Sequence, residues 1–182
     1  ESHFIAFSGN SHFALRDVSM TVDGAYNLEV LLAKNTITIA DQSTFVVENT
    51  NLNIDGVVRE MDFVNFENGL IITNGSAATI RRLNLFRGPG GTGSSIDMYQ
   101  FISCDNITIQ HGSALDLEDI KLAFGRTNTI KGIAVSKGLS VTEGSRFALR
   151  NVTSTGEVSG LVFIDWTGSS PILAQRSSSI VF

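Results

Sequence analysis

The sequence predicts an all-β chain folded as a right-handed parallel β-helix, and three observations predict it. One motif recurs six times at nearly constant spacing. Period-2 alternation of apolar and polar residues stands at the same offsets in every copy. One column of charged residues changes sign from copy to copy. Thin repeats of this kind cannot close a core alone, so they stack.

The motif is clearest in Ser11-His12-Phe13-Ala14-Leu15-Arg16-Asp17 and Ser145-Arg146-Phe147-Ala148-Leu149-Arg150-Asn151. Its anchor serines are Ser11, Ser43, Ser76, Ser113, Ser145 and Ser178, spaced 32, 33, 37, 32 and 33 residues apart. Six and four residues before the anchors stand Ile5/Phe7, Ile37/Ile39, Leu70/Ile72, Ile107/Ile109, Leu139/Val141 and Ile172/Ala174. Small or polar residues mostly separate them, which predicts a strand with one buried face. Two and four residues after the anchors stand Phe13/Leu15, Phe45/Val47, Ala78/Ile80, Leu115/Leu117, Phe147/Leu149 and Ile180/Phe182, a second strand. Asp17, Asn49, Arg82, Asp119 and Asn151 follow. Asp and Asn tolerate left-handed backbone, so this column predicts a corner. The chain then resumes at Val18, Thr50, Leu83, Ile120 and Val152. A third strand is predicted over Leu28–Ala33, Met61–Phe66, Met98–Ser103, Ile130–Val135 and Phe163–Trp166, with Trp166 in the core column of Leu31, Val64, Phe101 and Ile133. The whole chain, 1–182, reads as one β-helix domain of about five to six coils, roughly 33 residues each. Strand spacing makes such a prism roughly 25–30 Å long.

Five residues after the anchors stand Arg16, Glu48, Arg81, Glu118 and Arg150. In a parallel stack these are vertical neighbours. Opposite charges there stabilise by a few tenths to about 1 kcal/mol each, so the column is expected to fix register.

Composition narrows the function. Charged residues are 17% and the net charge is −5, which argues against nucleic acid as a partner. No run is long enough for a membrane span. A single cysteine, Cys104, excludes an internal disulfide and a cysteine-based zinc site; it reads as a structural thiol. The 37-residue spacing marks an insertion at Gly88, Pro89, Gly90, Gly91, Thr92, Gly93, Ser94 and Ser95. This Gly-rich segment is a candidate ligand-binding loop. No capping segment is visible, so the chain reads as part of a longer solenoid. Flanking coils or other subunits at the open ends are the expected partners, with host or matrix glycans or proteins beside them.

β-Helices that cleave polysaccharides need clustered carboxylates. Glu60, Asp62 and Asp97 are weak catalytic candidates on the third strand, with Glu60 and Asp97 expected in one column. Pectate-lyase and polygalacturonase signatures are absent. His3, His12 and His111 do not group, so no metal, cofactor or catalytic triad is expected. Sequons at Asn74, Asn106 and Asn151 are candidate glycosylation sites, at a frequency that chance composition would give.

The repeat Gly138-Leu139-Ser140-Val141-Thr142-Glu143-Gly144-Ser145-Arg146-Phe147-Ala148-Leu149-Arg150-Asn151, with Gly132-Ile133-Ala134-Val135-Ser136 before it, resembles repeats of the dispersed gene family surface proteins of kinetoplastid parasites. Bacterial adhesin β-helix passengers have similar units. The resemblance implies an extracellular or cell-surface glycoprotein with an adhesive role and no enzymatic residues to carry over. The chain departs from that family in its short length and in lacking a membrane-spanning C-terminal region. The expected function is a non-enzymatic structural or adhesive module of a surface or secreted protein. A polysaccharide lyase or hydrolase is the first alternative, and a self-assembling fibre segment the second.

Overall fold

Alternating apolar side chains can bury one face of a strand only against another layer, and here the facing layers are the chain's other strand columns, while each next coil extends the sheets edge to edge. The computed structural model describes residues 5–22, 25–55, 58–87, 96–167 and 172–182. All of the described strands pair in parallel, and no helix occurs among the described residues. The protein is a parallel β-solenoid.

Three columns of strands run along the solenoid. The first stacks β1 (Ile5–Phe7), β5 (Ile37–Ile39), β8 (Leu70–Ile72), the end of β10 (Ile96–Ile109), the end of β11 (Ala114–Val141) and β13 (Leu173–Ala174). The second stacks β2 (His12–Arg16), β6 (Thr44–Ile54), β9 (Ala77–Arg87), the start of β11, the start of β12 (Arg146–Trp166) and β14 (Ser179–Val181). Past a corner, β3 (Ser19–Val22) pairs with the second half of β6. The third column stacks β4 (Ala25–Ala33), β7 (Val58–Phe66) and β10, then the later stretches of β11 and β12. A strand inside the stack hydrogen-bonds to a neighbour along both of its edges, which is why proline is scarce in this chain.

The anchor serine now has a physical reason. Ser11 N–H donates to Ser43 Oγ across 32 residues at 3.1 Å. The same bond repeats from Ser43 to Ser76, Ser76 to Ser113, Ser113 to Ser145 and Ser145 to Ser178, at 3.1–3.2 Å. Ser43, Ser76, Ser113 and Ser145 are buried. A buried N–H must be satisfied, and at this bend a short hydroxyl from the next coil does it, joined at Ser43 and Ser145 by a backbone carbonyl three residues back, Ala40 O and Thr142 O, each at 3.2 Å.

Two kinds of corner frame the serine column. Just before each anchor, paired residues take left-handed backbone: Asn74 and Gly75 have φ of 56° and 70°, Glu143 and Gly144 59° and 73°. Even His111 and Arg176 adopt it, both at φ 54°. The cost of about 1–2 kcal/mol per non-glycine residue is offset by backbone bonds that continue from coil to coil, such as Gly75 N–H to His111 O at 3.0 Å. Six residues after each anchor comes the second corner. Asp17, Asn49, Arg82, Asp119 and Asn151 all have φ of 50–55°, as the Asp/Asn column predicted.

The interior holds the apolar columns. Ile39, Val47, Leu52, Ile72, Leu85 and Ile109 are fully buried. Burying each such side chain is worth roughly 1.5–3 kcal/mol. Phe13 stacks on Phe45, its register partner, with ring centroids 4.9 Å apart.

Two registers differ from the sequence reading, both in the third column. Met61 pairs with Tyr99, not Met98, and Phe66 with Cys104, not Ser103. The insertion before β10 adds one more residue here than in the anchor column, which shifts the strand. Trp166 pairs with Val135 and so belongs with Ala33, Phe66 and Cys104, two residues beyond the column assigned to it.

Candidate functional site

Two outward columns carry carboxylates with little solvent exposure. On the second face, Arg16 pairs in register with Glu48, Glu48 with Arg81, Arg81 with Glu118 and Glu118 with Arg150. The direct ion pairs gather on Glu48. Its carboxylate meets Arg16 at 2.6 Å, Arg81 at 2.6 Å and Arg82 at 2.8 Å. Arg82 reaches it because the corner turns that side chain back, and Arg82 also donates to Asn49. Arg81's hydrogen bond, opposed by burial and helped by the charges of Arg81, Arg16 and Arg82, holds the Glu48 carboxyl below the usual carboxylate range. The adjacent corner column is tied in the same manner: Asn49 Nδ2 donates to Asp17 and Asn151 Nδ2 to Asp119 at 2.9 and 3.0 Å.

The third face is different. Glu29 pairs in register with Asp62, and Asp62 with Gln100, which precedes Lys131 in the same column. Asn27 precedes Glu60 in the neighbouring outward column. These positions enclose a pocket of about 290 Å³, lined by Asn27, Glu29, Glu60, Asp62, Asn65 and Ser103 among others. Asn65 Nδ2 donates to Glu29 at 2.7 Å and to Asp62 Oδ2 at 3.3 Å. Gln100 Nε2 donates to Glu60 at 3.4 Å. Lys131, the cation of this column, is engaged by Asp165 at 2.6 Å. Burial, then the charges of Glu60 and Glu29, push the Asp62 carboxyl up to about 6 against the pull of Lys131.

The structure thus brings Glu60 and Asp62 together, and adds Glu29, which sequence reasoning missed. The signal was present: Glu29 and Asp62 are one coil apart. Asp97 does not join them by register. Met98, not Asp97, pairs with Glu60, so Asp97 lies one residue off the expected column. The insertion Gly88, Pro89, Gly90, Gly91, Thr92, Gly93, Ser94 and Ser95 joins β9 to β10 and lies outside the described residues.

The sequon side chains are bonded to other coils. Asn74 Nδ2 donates to Asp41 at 2.9 Å, and Asn106 Nδ2 to Asn68 O at 3.1 Å. Asn151 sits in the second corner, as described. Cys104 is a buried free thiol, and burial, followed by the charge of Asp105, pushes it up to about 12. That suits packing and not nucleophilic attack. His111 links three coils at an exposed corner, meeting Thr73 Oγ1 at 2.9 Å and Glu143 at 2.8 Å. No group of three metal-ligating side chains converges among the described residues.

A second depression, of about 440 Å³, follows the second corner between Asn49, Asn51, Arg82, Asn84, Asp119 and Lys121. Asn84 Nδ2 donates to Asn51 at 2.9 Å along its floor. It offers amide, guanidinium, carboxylate and ammonium groups in one polar groove. Compared with protein-family models, with curated proteins and with solved structures, the chain matches none.

Proposed function

We propose that this solenoid is a structural and adhesive module of a surface or secreted protein. One observation carries the reading: outward side chains are bonded chiefly to the coils above and below them. The serine column, the Asn/Asp/Arg corner and the Glu48 arginines all hold coil to coil. Such an arrangement favours a stiff rod that displays its faces over a cleft that remodels around a substrate. The polar groove beside Asn51 and Asn84 and the Gly88–Ser95 segment are the contact regions of this reading, with glycans or proteins as partners. The resemblance to the dispersed gene family supports placement outside the cell.

The polysaccharide-enzyme alternative rests on Asp62 and Glu60 sharing one pocket. A reducing-end assay over neutral and acidic polysaccharides separates the two. The module reading expects no cleavage products. Release of oligosaccharides that disappears in Glu60→Gln would overturn it in favour of an enzyme.

A further inference from the structure

The groove past the second corner carries enough chemistry to name the class of its partner, an inference that rests on the adhesive reading and deepens it. Two outward columns run side by side there. In the first, Ser19, Asn51, Asn84, Lys121 and Thr153 follow one another in register. In the second, Thr21, Asn53, Phe86, Ala123 and Thr155 do the same. Phe86 is the single large apolar side chain of the two columns, and it is 40% exposed. Its register neighbours, Asn53 and Ala123, are too small to cover an aromatic ring. The face therefore sets one bare ring beside the 440 Å³ polar groove of Asn51, Asn84 and Lys121.

The polar groups of the groove are only partly used. The Asn84-to-Asn51 bond leaves the Asn84 carbonyl oxygen and the Asn51 amide nitrogen without hydrogen bonds among the described residues. Arg82 gives Nε to Asn49 and Nη2 to Glu48, which leaves Nη1. Asp119 accepts from Asn151 on Oδ1 and keeps Oδ2. The Lys121 ammonium makes no ion pair among the described residues. Unspent donors and acceptors side by side suit hydroxyl groups, each of which both donates and accepts. Two cations against one carboxylate, in a chain of net charge −5, reverse the local sign and favour an anionic partner.

We propose that this face binds an acidic oligosaccharide, with one sugar ring laid on Phe86, hydroxyls on Asn51 and Asn84, and a carboxylate at Lys121. A pyranose has an apolar face of C–H groups and a rim of hydroxyls, so it is matched by an aromatic ring beside mixed donors and acceptors. Phe86 and Asn84 stand two residues apart on the same face of β9, and Lys121 lies one coil from Asn84. Coils repeat at about 4.8 Å, close to the length that one ring adds to an extended sugar chain. A protein partner would call for a wider apolar centre than one ring.

The test is a two-dimensional amide NMR titration of the full chain with a hyaluronan tetrasaccharide, which carries carboxylates, and with chitotetraose, which carries none. The expected result is shift changes centred on Asn51, Asn84, Phe86 and Lys121, with the acidic sugar the tighter of the two. Phe86→Ala is expected to weaken both sugars about tenfold, and Phe86→Tyr, which keeps the ring, to restore them. Lys121→Gln should weaken the acidic sugar about fivefold and leave the neutral one unchanged. Both altered residues are exposed, and resonances from the buried columns report that each variant still folds. The proposal is overturned if neither sugar moves these resonances, or if folded Phe86→Ala binds as the wild type does. It is also overturned if chitotetraose binds as tightly as the acidic sugar, or if phosphatidylserine vesicles shift the same residues and the sugars do not. Cleavage of polysaccharide would instead refute the module reading, so the two failures are distinguishable.

Discussion

Glu48 and Asp62 make an instructive pair. Both point outward from a solenoid strand, both are 7% exposed, and both have register neighbours one coil away on either side. Around Glu48 those neighbours, with the adjacent corner, bring three guanidiniums. Around Asp62 they bring Glu29 and a neutral amide, with Glu60 close by in the same pocket. The first carboxyl is held down and the second is pushed up to about 6. The same position in the architecture thus serves opposite ends. Opposite charges one coil apart hold the stack together. Like charges one coil apart leave electrostatic demand that the stack does not meet.

The comparison can be sharpened by substitution. The largest effect is expected from Leu85→Ala, which empties core volume common to both faces and costs about 2–5 kcal/mol. Urea unfolding should show that loss equally at acidic and neutral pH, since no titrating group is removed. Asp62→Asn is the next largest and has the opposite sign. It removes a buried charge whose proton affinity is about two units above the ordinary value, so a gain of up to about 3 kcal/mol is expected at neutral pH. Thermal unfolding at pH 7 checks it.

On the cohesive side, Ser113→Ala strips the acceptor from the buried Ser76 N–H. The expected loss is about 1–3 kcal/mol, read as a lower urea midpoint with an unchanged slope. Glu48→Gln should have the smallest effect, because its arginines are substantially solvated. Its loss is expected at neutral pH and should shrink in acid, where Glu48 itself becomes neutral.

Much of this architecture was legible in the sequence. The serines, the apolar pairs around them and the Asp/Asn corner give strand positions and registers for the first two columns, because each column repeats one residue type at one offset. Arg82 shows how firmly the fold sets that corner, since a residue with no left-handed preference still has φ of 53°. The third column was less legible. Its residues vary more, and the insertion at Gly88–Ser95 separates β10 from the anchor that would have fixed its register. Hence Asp97 was placed in Glu60's column and Trp166 two residues early. The acid pocket was half legible. Glu60 and Asp62 stand out as neighbours in the chain, but Glu29 belongs with them only after the coils are stacked. The serine bonds could not be read, because period and residue type do not say where a hydroxyl points.

The central claim, that the solenoid spends one carboxylate column on cohesion and leaves another uncompensated, is tested most directly by unfolding free energy against pH. The wild type, Glu48→Gln and Asp62→Asn would be measured from pH of about 3.5 to about 7.5. A carboxyl held low stabilises the fold above its unfolded pKa, and that contribution is lost as pH falls through the folded value. A carboxyl pushed up does the reverse: its contribution is present below the unfolded value of 3.8 and is lost as pH rises through about 6. The account predicts that Glu48→Gln lies below the wild type at neutral pH and converges on it in acid. It predicts that Asp62→Asn lies above the wild type at neutral pH, with the gap opening between pH of about 4 and about 6. If Asp62→Asn instead falls below the wild type at neutral pH, Asp62 is a cohesive residue like Glu48 and the claim is wrong.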